Sequence, residues 1–184
     1  SAMAAHVMRA AGAHPSHYVG AEIPILGTNA RWDEAGQYFV AEGDESDGTI
    51  VLYHPEHTIV LNIEPEHLDH YKDLAEIDAA FNRLAGQTSG NIFYCADDPG
   101  ATRVCAGRPG AVSYGKGGEH SYADFSTADF ASTFVFRRGG AELVRVKLNV
   151  PGEDNALNAT AVLALAAELG LDLAKCAAAL GTFR

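Results

Sequence analysis

The sequence predicts an α/β domain: a mostly parallel sheet flanked by helices, with a small antiparallel β addition. Three observations predict it. Apolar runs of strand length stand at residues 38–41, 58–61 and 91–95, as expected of strands buried on both faces of a parallel sheet. Segments of helical period lie between and after them. The stretch 122–150 alternates instead, which is the pattern of antiparallel strands.

The elements follow in order. Met3, Val7, Ala10 and Ala11 fall at helical spacing, and Gly12 stands where a C-terminal cap belongs. Residues 14–28 are rich in Gly and Pro and read as a loop with a short extended piece around Tyr18 and Val19. Between runs 38–41 and 58–61 there is enough chain for the crossover that parallel strands need. If these two strands are neighbours, the polar groups just past each one face a single crevice, since ligands bind outside the carboxyl ends of such strands. Residues 73–87 place Leu74, Ile77, Phe81 and Leu84 on one helical stripe. Run 91–95 is a third strand, and Asp97-Asp98-Pro99 makes a turn that opens a short helix. Ser113-Tyr114-Gly115 ends another strand. Phe134 and Phe136, then Leu143, Arg145 and Lys147, flank Arg138-Gly139-Gly140 as a hairpin. Residues 155–169 are apolar on almost every side and predict a deeply packed helix ended by Gly170. Asp172 caps a last helix through Leu180, and Gly181 stops it.

The chain has 184 residues, about one domain. Its net charge of −11 makes it a poor partner for phosphate backbones and excludes general nucleic-acid binding. Cys95, Cys105 and Cys176 form no CxxC pair, so neither a disulfide framework nor a zinc knuckle is expected. A reducing, cytoplasmic setting follows. No apolar run approaches the roughly 20 residues that span a bilayer, and no membrane partner is expected. No secretory leader pattern opens the chain. Both ends read as cut. The expectation is one domain of a longer protein, residues 1–181, with 182–184 leading out of it. The oligomeric state leaves no sequence signal.

Three clusters carry chemistry. The first is Glu42-Gly43-Asp44-Glu45-Ser46-Asp47, just past a strand. Carboxylates this dense repel one another unless water or a cation separates them, and hard cations such as Mg²⁺ take oxygen ligands; a solvated acidic loop reads the same way. The second is Asn62-Ile63-Glu64-Pro65-Glu66-His67-Leu68-Asp69-His70-Tyr71, again just past a strand. His67 is a candidate ligand or a turn cap. His67 and His70 stand three apart, but no third clustered ligand supports zinc. His54 and His57 read as surface loop residues. The third is Asn149-Val150-Pro151-Gly152-Glu153-Asp154-Asn155-Ala156-Leu157-Asn158-Ala159. Asn155 and Asn158 share a helix face, and a carboxamide matches the edge of an adenine ring. Asp154 or Asn155 is expected to cap that helix. Gly115-Lys116-Gly117-Gly118 lacks the spacing and hydroxyl of a phosphate cradle, and no GxxxxGK[ST] occurs.

In combination and order, EGDESD at 42–47, NIEPEHLDHY at 62–71, DDP at 97–99, SYG at 113–115 and NVPGEDNALNA at 149–159 resemble the Mur ligase family over nearly the whole chain. The resemblance implies the P-loop NTPase-like central ATP-binding domain of such a ligase, without its P-loop and inactive alone. It implies ATP and Mg²⁺ as cofactors. Glu42 and His67 would be catalytic metal ligands, and Asn155, Asn158 and Asp154 would face the adenine. Asp154 stands where the family usually has histidine, and Glu66 where it usually has aspartate. The implied reaction is amide formation through an acyl phosphate in peptidoglycan synthesis. The absence of lysine from 73–87, where other branches use a carbamylated lysine, favours the branch that joins L-alanine to UDP-N-acetylmuramic acid. Alternatives are a murein tripeptide ligase, a cyanophycin- or folylpolyglutamate-type ligase, a metal-dependent hydrolase, or a non-catalytic binding module.

Overall fold

In the computed structural model, which describes residues 1–66 and 70–184, the chain divides into two units. Residues 1–42 with 121–184 make the first, and 43–120 the second.

In the first unit, helix α1 (Ala2–Ala10) buries Met3, Val7 and Met8, and Gly12 leaves it at φ +86° as its position predicts. Strand β1 (Ser16–Tyr18) lies between β2 (Ala30–Arg31), antiparallel, and β3 (Phe39–Ala41), parallel. His17 of β1 is buried. Arg9 donates to its Nδ1 at 3.2 Å, so the ring proton sits on Nε2, which donates to the Thr28 carbonyl at 3.0 Å. The run at 38–41 departs from expectation. As β3 it hydrogen-bonds β1, at the edge of a three-stranded sheet that does not include the 58–61 strand. Phe39 is 59% exposed, so this strand is not buried on both faces.

Strands β7 (His120–Ala128), β8 (Ala131–Arg138) and β9 (Ala141–Leu148) follow. The last two form the expected antiparallel hairpin, Arg138 opposite Ala141. Gly139 and Gly140 turn it at φ +54° and +84°, as a tight primed turn requires. Phe134, Phe136, Val146 and Leu148 point inward against α4 (Glu153–Glu168) and α5 (Leu173–Leu180). Helix α4 is buried nearly all round, which is why its sequence shows almost no polar face. Gly170 closes it at φ +68°, donating to Ala167 while Leu171 donates to Ala166; these two bonds satisfy carbonyls that a helix end leaves open. Asp172 caps α5 through the Ala174 and Lys175 amides. Thr182 and Phe183 are tied back to α1 through His6.

In the second unit, β4 (Thr58–Val60), β5 (Ile92–Cys95) and β6 (Ala111–Tyr114) pair in parallel. They pack with α2 (Leu74–Gln87) and α3 (Pro99–Cys105) around Val60, Ile77, Leu84, Ile92, Val104 and Cys105. Asp73 accepts from the Glu76 amide and caps α2 where the sequence predicts, while the Glu76 carboxylate accepts the Lys72 amide just before the cap. Tyr114 is fully buried and donates to the Val60 carbonyl at 3.1 Å; burial pushes its phenol well above the usual range. Within this unit the strands order β4-β5-β6, and Tyr114 of β6 pairs in parallel with His120.

His57 corrects another expectation. It is not a surface residue: its Nδ1 accepts the Asn91 amide at 3.0 Å, and its ring lies tilted against Phe93. A half-buried backbone amide just before β5 needed a partner, and this ring supplies it. All three cysteines are buried and free. No helix among the described residues is long and apolar enough to cross a membrane.

Candidate functional site

Glu42 stands immediately after β3. Its amide donates to the Tyr18 carbonyl at 3.0 Å, extending the β1–β3 ladder, and its side chain is exposed. Gly20 makes room for it, because a β-carbon there would come within 3.1 Å of the Glu42 carboxylate. Glu42 is thus a projecting carboxylate on ladder-fixed backbone.

The rest of the acidic loop belongs to the second unit. Two carboxylates are spent on local turns: Asp44 accepts from Ser46 and Asp47 from Thr49, each at 2.9 Å. The Thr49 bonds, with a smaller contribution from His70, hold the Asp47 carboxyl below the usual range. Gly48 takes φ +73°, and a side chain there would strike the His70 ring. His70 stacks edge-on with Tyr71 at 4.7 Å, and Tyr71 donates to the Glu45 carbonyl at 2.7 Å. Burial raises the Tyr71 phenol first, and the carboxylates of Glu45, Asp47 and Asp44 raise it further. Tyr71 therefore pins the loop backbone, and His70 packs beside Gly48.

Beyond β4, the segment 62–66 meets this loop. Glu45, Asn62, Glu64 and Glu66 surround a small depression with Ile77 and Phe81 beside it. Three acidic residues from two sequence clusters thus line one place. Among the described residues, no group of three acidic, His or Cys side chains is already arranged around a metal position. His67, the residue singled out in the sequence, lies outside the described residues, together with Leu68 and Asp69.

The third cluster is in the first unit, at the start of α4. Here the capping expectation fails. The N-cap is Gly152 at φ +104°, and α4 begins at Glu153, so Asp154 and Asn155 fall inside the first turn. Asn155 instead donates from Nδ2 to the Pro151 carbonyl at 2.7 Å, which leaves its Oδ1 open. Asn158 is half-buried one turn on, and Asp154 is exposed. Ala156 and Ala159 beside them are fully buried. Tyr122 donates to Glu153 at 3.1 Å, and Asn149 donates to the Gly181 carbonyl. Asn155 and Asn158 are thus held at i, i+3 on a rigid helix with carboxamide atoms available.

Two contacts were not legible in the motifs. The Asp97 carboxylate accepts the Lys116 and Gly117 amides at 2.6 and 2.9 Å, which fills the glycine-rich turn from within. Asp98 reaches the Ile63 amide at 3.1 Å while capping α3. Asp97-Asp98-Pro99 signals a turn and a cap, but nothing local names these distant partners.

A family model described as the Mur ligase middle domain matches residues 8–166. The UDP-N-acetylmuramate–L-alanine ligase of Renibacterium salmoninarum is 40% identical over 190 residues, covering all of this chain and 40% of the relative. Among solved structures, UDP-N-acetylmuramate-alanine ligase from Thermotoga maritima superposes with a TM-score of 0.88 at 30% identity, over 100% of this chain and 41% of that one. The UDP-N-acetylmuramate:L-alanyl-gamma-D-glutamyl-meso-diaminopimelate ligase from Neisseria meningitides gives 0.86 at 27%, over 99% and 61%. This chain spans about 40% of the length of the curated relatives it matches.

Proposed function

We propose, because this chain belongs to the Mur ligase family as its middle domain, that the full protein is an ATP-dependent amide ligase. It joins L-alanine to UDP-N-acetylmuramic acid in peptidoglycan synthesis, in the cytoplasm. The observation that carries this reading is the meeting of the acidic loop and the 62–66 segment at one depression, lined by Glu45, Glu64 and Glu66. The extent of the similarity to alanine-adding ligases supports the substrate pair. Residues 1–181 form the domain, with 182–184 leading toward the next.

The roles follow from the chemistry. A carboxylate and a triphosphate must approach each other, and Mg²⁺ supplies the charge that offsets their repulsion. Glu42 would hold one such ion, and His67 would hold or orient a second near the acyl phosphate. Asn155 and Asn158 face the adenine edge with the carboxamide atoms left open, and Asp154 lies at its rim. The substrate carboxylate would take the γ-phosphoryl group with ADP leaving, and the L-alanine amine would then displace inorganic phosphate to form the amide.

The test uses the full-length protein with ATP, Mg²⁺ and UDP-N-acetylmuramic acid, offered L-alanine, glycine, L-serine and a free tripeptide. Phosphate release with L-alanine is expected to exceed that with the others, and to fall on the order of 10²-fold or more in Glu42→Ala and in His67→Ala. Full activity in either variant removes that residue from the site. Preference for the tripeptide would instead favour a murein tripeptide ligase.

A further inference from the structure

Asp98 does two things with one oxygen. Its Oδ1 accepts the Ala101 amide at 2.6 Å, which caps α3, and the Ile63 amide at 3.1 Å, which lies in another part of the unit. From the opposite direction Gly100 approaches so closely that a β-carbon there would overlap the Ile63 carbonyl oxygen. The Ile63 side chain is itself 4% exposed and packed in the core of the second unit. Amide, carbonyl and side chain of one residue are each held, just where the chain leaves β4 and runs on to Glu64 and Glu66. A helix cap needs none of this, since Ser, Thr or Asn caps as well as Asp.

We infer that Asp98 and Gly100 are positioning residues. They fix where the segment carrying Glu64 and Glu66, which leads in sequence to His67, stands over the depression shared with Glu45. This rests on the ligase reading for its catalytic consequence and on the Ile63 contacts alone for its structural one. Catalytic groups tolerate displacement of only about 0.5 Å, and a misplacement near 1 Å costs on the order of 10²-fold in rate.

Asp98→Ser separates the two uses of that oxygen. The shorter hydroxyl still caps α3 but sits too close to the backbone to reach Ile63. In the full-length protein kcat is expected to fall by about 10- to 100-fold, while KM for ATP and the melting temperature change little. Asp98→Asn keeps the acceptor and is expected to restore most of kcat. In parallel, amide exchange at Ile63 is expected to quicken in the Ser variant and not in the Asn variant. A Ser variant with a fast-exchanging Ile63 and full kcat overturns the positioning role, as does one whose Ile63 amide stays protected. Wild-type protein without ATP-dependent ligase activity would sink the functional reading instead, and the exchange result would still decide the clamp. If Asp98→Ser does not fold, Gly100→Ala displaces Ile63 from the other side and is expected to lower kcat similarly; unchanged kcat there also overturns the inference.

Discussion

The two regions that carry the candidate residues are held by opposite means. In the first unit, Asn155 and Asn158 ride on a 16-residue helix whose other faces pack into a core with Phe134, Phe136, Leu148 and Leu180. In the second, Glu45, Glu64 and Glu66 ride on irregular backbone that single polar groups pin from a distance: Tyr71 at Glu45 and Asp98 at Ile63. Apolar packing is spread over many atoms and fails gradually. A pin is one bond, worth about 1 kcal/mol in stability, yet it sets where a whole loop stands. The helix-borne region should therefore be sensitive in stability and the loop-borne region in geometry.

The largest effect expected from that contrast is in the helix-borne core. Phe134→Ala empties a fully buried position under α4 and should cost about 3–5 kcal/mol in chemical denaturation. A loss below about 1 kcal/mol would mean that α4 does not depend on this packing. Next is Asn158→Ala, which removes a carboxamide without disturbing the buried stripe. In the full-length protein ATP affinity by calorimetry should drop about tenfold with the melting temperature unchanged. Unaltered affinity would take Asn158 out of the adenine site.

Tyr71→Phe comes third. It should cost only about 1 kcal/mol, and a loss equal to that of Phe134→Ala would break the contrast. Its pH dependence has a definite sign. Burial and nearby carboxylates raise the folded phenol above its ordinary value of 10.0. The tyrosine's contribution is therefore whole below that value and is lost as pH rises through the folded one. Wild-type stability should decline more steeply above about pH 10 than that of the Phe variant.

The smallest effect is a rate of labelling. Burial pushes the Cys105 and Cys176 thiols up to about 11, so one buried thiol in each unit is unreactive by the same cause. Thiol reagent at pH 8 should modify neither until denaturant is added. Their raised values favour the folded state below the unfolded thiol range and cease to do so as pH climbs through the folded value. Rapid labelling of one alone would show that its unit opens first.

Much of this was legible in the residues. Helix α2 begins at its Asp73 cap, β5 covers four residues of the run at 91–95, the hairpin turns at Gly139-Gly140, and α4 ends at Gly170. Each rests on a period or a cap that neighbours in sequence define. The misreadings share one feature, which is that the deciding partner was remote. His57 reads as a loop residue because nothing nearby reveals that the Asn91 amide needs an acceptor. Asn155 reads as a cap because the Pro151 carbonyl and the φ of Gly152 are invisible in a string of letters. Run 38–41 reads as a doubly buried strand because apolar content does not say which strand will pair with it.

From its own pattern, the chain specified an α/β order, the helix boundaries, the family motifs and the residue types able to hold a cation or an adenine edge. These depend on periodicity, capping and composition, which act over a few residues. Tertiary structure alone decided that Glu45 meets Glu64 and Glu66, that Asp97 fills the glycine turn, and that one Asp98 oxygen serves both α3 and Ile63. Those contacts join segments far apart in the chain, and a hydrogen bond is fixed by distance and angle in space, which spacing in sequence does not encode.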